Sequence, residues 1–279
     1  MARKARSFLA RRRYLILPLG WISLVVALAV TAPLLPLLDP TEMDFAHPES
    51  HPSLAHWFGT DLDGRDIFAR AVYGARVSLI VSLGAPLIGL IAGTLFGLVA
   101  SYYTGWIRTI ILAGLDAMLA FPSLVFALGL TVVLGPSVQN VTLALGIMSI
   151  PAFARIARSH ALPLLGQEFV LAARTAGASN AYILFREILP NMVMPLLTYV
   201  LTIMSVMIVA EGSLSFLGVG VPPPTPSWGG MIAEGREALE RVPHASLIPA
   251  VIMFLTVLSL NLIGDALRQD KFGHGGGLS

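Results

Sequence analysis

The chain has 279 residues, of which 56% are hydrophobic and only 12% charged. Soluble domains carry about 25% charged residues and disordered chains are poor in apolar ones, so neither a water-covered globule nor a disordered chain fits. The lack of cysteine excludes disulfides and thiolate metal sites, and the net charge of +2 says less than its distribution.

A bilayer core about 30 Å thick needs about 20 apolar residues in a helix. Six stretches with at most one acidic or basic residue qualify: 14–38, 77–103, 109–134, 136–154, 188–210 and 242–264. The basic segment 1–13 before the first stretch suggests a cleaved signal peptide, and Arg12-Arg13 hints at twin-arginine export. Signal cores run about 7–15 residues, however. The longer run 14–38 therefore reads as the first transmembrane helix. With the N-terminus in the cytoplasm, 13 of the 18 basic residues fall on the inner side, which is the bias the positive-inside rule describes. Six spans return the tail, 265–279, to that side. The expectation is an all-α membrane protein with six transmembrane helices and cytoplasmic N- and C-termini.

The first outer segment, 39–76, contains His56-Trp57-Phe58-Gly59-Thr60-Asp61-Leu62-Asp63-Gly64-Arg65-Asp66. Asp63-Gly64 signals a turn, and Asp66 is placed to cap a helix starting at Ile67. Asp61-x-Asp63-Gly64 departs from a calcium loop, which needs glycine at its sixth position. Its acids read as turn and cap residues. His47, His51 and His56 read as a polar loop, and no metal site is expected.

In the second span Gly89, Gly93, Gly97 and Ser101 recur every four residues. Small side chains on one face allow close helix packing in lipid. Asp116 is an acid well inside the third span. Intramembrane acids face protein or water. A proton relay would need more than this one group, so pairing with an arginine such as Arg108 is expected.

The inner segment 161–190 predicts two short helices. Ala172, Ala173 and Ala176 favour the first, and Gly177 can end it in a left-handed conformation. Ser179 or Asn180 can cap the second. The product is a small knob able to dock on a soluble partner. The outer segment 212–241 holds Pro222-Pro223-Pro224-Thr225-Pro226, a stiff extended run. An amphipathic helix over 231–242 follows, expected at the outer surface, with Glu234 and Glu237 on its polar face.

No Walker A, H-E-x-x-H or G-x-S-x-G motif occurs. An enzyme is not expected, nor a cofactor bound by this chain.

Jointly, four motifs resemble one family. Ala172-Ala173, Gly177 and Leu189-Pro190 are similar to the cytoplasmic EAA loop of permease subunits of ATP-binding-cassette importers. Leu171 stands where that loop's leading glutamate usually lies, and Glu187 where an isoleucine does. Both departures fit the peptide-permease form, A-A-R-x-x-G-A-S…I-L-P-N. Gly59 to Asp66 resembles that subfamily's G-T-D-x-x-G-R-D signature, Asp116 to Ser123 its D-x-x-L-A-F-P-S stretch, and Glu211 to Trp228 its E-x-S-L-S-F-L-G…P-T-P-S-W-G run. The likeness covers about residues 11–272 and points to the second of two paired permeases in dipeptide, oligopeptide or nickel importers.

The resemblance implies a type I importer permease fold. It also implies a heterodimer with a second permease, two ATP-binding subunits that hold ATP and magnesium, and an extracytoplasmic binding protein. Nucleic acid has no part in such a system, and its place is the cell membrane of a bacterium or archaeon. Glu168, Ala172, Ala173, Arg174, Gly177 and Ala178 are implied to couple to an ATPase. Glu211, Ser213, Ser215 and Asp116 are candidates for the pathway or its gate. Nickel chelates or other small solutes are the alternative cargo, and a proton-coupled carrier the alternative mechanism.

Overall fold

The structure, a computed structural model, describes residues 14–272. The basic segment 1–13 and the end of the tail, 273–279, lie outside the described residues. Helix α1 (Ile16–Thr31) runs into a short 3-10 turn, Ala32–Leu34. Then come α2 (Ile67–Tyr102), α3 (Trp106–Ala120), α4 (Ser123–Leu134) and α5 (Val138–Leu164). Helix α6 (Glu168–Thr175) is followed by the long α7 (Asn180–Phe216). The short α8 (Trp228–Gly235) ends in a 3-10 turn, Arg236–Ala238, and α9 (Pro243–Phe272) completes the described chain.

Among the described residues, five helices are long and apolar enough to cross a membrane. The third predicted span is not one helix: α3 and α4 meet at 90°. The cause is Phe121-Pro122. A residue before proline is pushed out of the helical region, and Phe121 is extended at φ −88°, ψ 139°. Other prolines do not have this effect, since Pro86, Pro151 and Pro195 lie inside continuous helices.

Helix ends also differ from the predicted spans. α2 starts at Ile67, inside the segment expected as outer loop, because the Asp66 carboxylate accepts the Ala69 N–H at 2.7 Å. The continuous helix expected over 231–242 is replaced by the shorter α8, with Val242 buried just before α9.

The centre of the bundle is the seam between α2 and α5. Gly93 faces α5 so closely that a methyl group there would lie 2.6 Å from the Ile150 carbonyl oxygen. One on Gly97 would strike the Ala154 carbonyl, and one on Gly89 the Ser149 hydroxyl. In lipid such contact replaces hydrophobic burial as the source of helix association. Val81, Leu145, Phe153 and Met207 form a core where α2, α5 and α7 meet.

Candidate functional site

At one end of the bundle α6 and the start of α7 form a hairpin. Its turn follows from local chemistry. Gly177 takes φ +79°, which costs a glycine nothing. The Gly177 N–H donates to the Arg174 carbonyl and the Ala178 N–H to the Ala173 carbonyl, both at 3.0 Å. That pair of bonds is the Schellman end of a helix. The Ser179 hydroxyl then accepts the Tyr182 N–H at 3.3 Å and starts α7. Of the two cap candidates the chain uses Ser179.

The hairpin is held from beneath and open above. Val170 is fully buried among Leu98, Ala157, Ala161, Ile183 and Ile188. Tyr102, at the end of α2, donates its hydroxyl to Asn180 Oδ1 at 2.7 Å. The Arg174 guanidinium lies 5.3 Å from the centre of the same ring, a cation–π distance. Glu168, Ala172, Arg174 and Gly177 are exposed, while Ala173 and Ala178 are partly covered. A Cβ on Gly177 would meet nothing within 4 Å. The six residues therefore lie on one projecting turn. Tyr102 had no sequence signal, because 78 residues separate it from Asn180.

Within α7, Ile183–Ile188 form a π-helical segment. Pro190 cannot donate to the Arg186 carbonyl and would crowd it in an α-helix. The wider turn avoids that clash, and the Asn191 amide donates to the Glu187 carbonyl at 2.7 Å.

The opposite end of α7 is built from buried polar groups. Glu211 is fully buried. Its Oε1 accepts the hydroxyls of Ser215 at 2.9 Å and Ser227 at 2.8 Å, while Oε2 has no partner among the described residues. Ser227 also caps α8 by accepting the Gly230 N–H. Trp228 is buried and donates its indole N–H to the Ala71 carbonyl at 3.0 Å. So α8 is wedged into the bundle, and Glu211 does not face an open pathway in this conformation. Ser213 bonds its own helix at the Val209 carbonyl.

Beside α8 lies an ion network that motif reading did not reveal. Arg65 and Arg70 are 4% and 1% exposed. Arg65 donates to Asp61 at 2.8 Å and to Glu234 at 2.9 Å, and it pairs with Asp63 at 2.7 Å. Arg70 donates to Glu234 at 2.7 Å. Asp61 also accepts the backbone N–H groups of Asp63 and Arg65, as a turn residue should. The guanidinium groups thus occupy the space between carboxylates that resembled a calcium loop. His47 contacts Asp44 and His56 contacts Asp66, so the loop histidines have separate partners. A cavity of about 400 Å³ opens beside the network.

Asp116 pairs with an arginine, but not with Arg108. Its partner is Arg155 on α5, at 3.2 Å. Asp116 therefore lies on the side of α3 that meets α5.

The family described as the binding-protein-dependent transport system inner membrane component matches residues 87–270. This chain belongs to that family. The permease is 40% identical over 267 residues to the dipeptide transport system permease protein DppC of Alkalihalophilus pseudofirmus, covering 96% of this chain and 88% of the relative. It is 40% identical over 250 residues to the glutathione transport system permease protein GsiD of Pectobacterium atrosepticum, covering 89% and 83%. Among solved structures, the inward-facing MetNI methionine ABC transporter aligns with TM-score 0.56 at 15% identity, covering 71% of this chain and 96% of that one. An amino acid ABC transporter with histidines aligns at 0.55 and 19% identity, covering 73% and 94%. At those identities the likeness concerns the fold, which is that of importer permeases. The permease is a multi-pass membrane protein of an ATP-binding-cassette importer, a system that includes ATPase subunits and a substrate-binding protein.

Proposed function

We propose that this chain is one of two paired permeases through which short peptides enter a bacterial or archaeal cell. The hairpin of α6 and α7 carries the reading. Its tip is small, exposed and fixed by a Schellman turn, a shape suited to a cleft on an ATPase subunit. That subunit holds ATP and magnesium, and this chain holds no cofactor. Glu168, Ala172, Ala173, Arg174, Gly177 and Ala178 form the docking surface. The skew of basic residues toward the hairpin end supports placing that end in the cytoplasm.

The relatives' names support peptides of two or three residues as cargo. A binding protein outside the cell delivers them. Closure of the ATPases moves the hairpin and switches the pathway from inward-facing to outward-facing.

Gentle purification of the tagged chain from its own host tests the whole reading. A second six-span permease, ATPase subunits and a binding protein should come with it, and the ligand on that binding protein should be a peptide. Recovery of this chain alone, from membranes in which the tag leaves uptake intact, would overturn it.

A further inference from the structure

We infer that the elbow between α3 and α4, together with the Asp116–Arg155 pair, forms this chain's wall of the water-filled pathway. The inference rests on the permease reading above and identifies the side of the chain that lipid does not cover.

Three observations converge on this side. First, α3 buries only Leu115 among its 15 residues. It leans away from its own bundle, so something else must surround it. Second, Asp116 and Arg155 remain 67% and 64% exposed at the side chain although they pair with each other. Ionised groups in a span face protein or water and are costly against hydrocarbon. Third, the chain breaks its helix here. Fifteen residues make a helix about 22 Å long, shorter than the roughly 30 Å hydrocarbon core, so the elbow lies at membrane depth. Phe121 and Pro122 are exposed, and among the described residues no side chain caps the start of α4. Free backbone groups at that depth are tolerated only in protein or beside water.

Asp116 lies just over one turn before Phe121, so the ions and the break belong to one surface. Lipid is incompatible with both. A dry contact with the second permease would have to bring polar groups of its own to both the backbone and the ion pair. Water in the pathway between two permeases satisfies the backbone and the ion pair together. Other helices present plain apolar surface: Val30, Ile91 and Phe254 are 70%, 72% and 62% exposed, which suits lipid.

The chain has no cysteine, so a single cysteine introduced here is the one labelled on this chain, read after the subunits are separated. Leu119→Cys and Ser123→Cys at the elbow, and Ile91→Cys and Phe254→Cys as lipid-facing references, are assembled into the full importer in proteoliposomes. Each is treated with a charged, membrane-impermeant maleimide and, separately, with N-ethylmaleimide. The elbow cysteines should react with the charged reagent at least about tenfold faster than the references, because a charged molecule does not enter hydrocarbon. Their rate should change when the ATPases are trapped closed. Slow reaction at the elbow, equal to the references, would assign this face to lipid. No reaction with either reagent would assign it to a dry protein contact, and either result overturns the inference. Stimulation of ATP hydrolysis by the binding protein, measured on the same samples, separates the two levels. Its absence in the unmodified importer would overturn the permease reading itself. Intact stimulation with a slow elbow would overturn only the wall. If one elbow variant does not assemble, Val125→Cys, at a position 59% exposed, replaces it.

Discussion

The two ends of α7 solve opposite problems. At the hairpin end the polar and small residues point outward, and one buried valine with one tyrosine holds them in place. At the α8 end the polar residues point inward: Glu211, Arg65 and Arg70 are enclosed, and each is matched to hydroxyls or to opposite charge. On the docking role proposed above, the hairpin keeps its own framework thin and its surface free for a partner. An element that must keep its place while the surrounding helices shift is locked from inside. The same sequence change should therefore act on assembly at one end and on folding at the other.

The largest effect should come from Arg70→Ala. It leaves Glu234 and Asp61 with Arg65 alone, and losing a charged hydrogen bond costs about 2–3 kcal/mol. Thermal unfolding in detergent should shift down sharply, with little folded chain recovered. Wild-type stability in that variant would show that the network is not a lock.

Gly177→Arg should separate the ends most clearly. Left-handed backbone costs an ordinary residue about 1–2 kcal/mol, and a Cβ at this exposed position meets no described residue within 4 Å. Insertion and folding should survive. Peptide uptake should fall to background, or the ATPase should fail to co-purify. Normal uptake would remove the hairpin from the mechanism.

Val170→Ala removes the anchor under the same hairpin. Its cost should be roughly 2 kcal/mol, read as a lower midpoint of unfolding and weaker ATPase retention.

Glu234 and Glu237 sharpen the contrast within the α8 end. Glu234 bonds both buried arginines, whereas Glu237 is exposed. Glu234→Lys should destabilise the chain, and Glu237→Lys should leave stability within about 0.5 kcal/mol. A change in binding-protein-stimulated ATP hydrolysis with Glu237→Lys alone would place that residue in contact with the binding protein.

Tyr102→Phe should have a small and local effect, the loss of one neutral hydrogen bond worth about 1 kcal/mol. Faster amide exchange confined to the start of α7 is the expected readout.

Local signals were readable from the sequence because they act over a few residues. The cap at Asp66, the left-handed turn at Gly177 and the cap at Ser179 each depend on one side chain and its next neighbours. The apolar stretches located the membrane helices for the same reason. Long-range partners were not readable. Arg70 meets Glu234 across 164 residues, and Arg155 meets Asp116 across 39. Charge pattern offers several partners for each, as the expectation of Arg108 for Asp116 shows. Proline was ambiguous as well. Pro122 breaks a span while Pro86, Pro151 and Pro195 do not; Pro86 and Pro151 are buried and Pro195 is half-buried, whereas Pro122 is exposed. The depth of α8 was hidden by its composition, since one face of charges around Glu234 looks the same whether it meets water or two buried arginines.

The unbroken course of α7 has a mechanical consequence. From Asn180 beside the hairpin to Glu211 beside α8 the chain is one helix, about 47 Å long at 1.5 Å per residue. Beyond the π-helical segment at Ile183–Ile188, which joins it to the hairpin, this helix has a handle at one tip and a bolt at the other. If it pivots near its midpoint, a tilt of only about 5° carries each tip roughly 2 Å in opposite directions, given that length. A push on the handle would then reach the bolt with no relay of small rearrangements through the core.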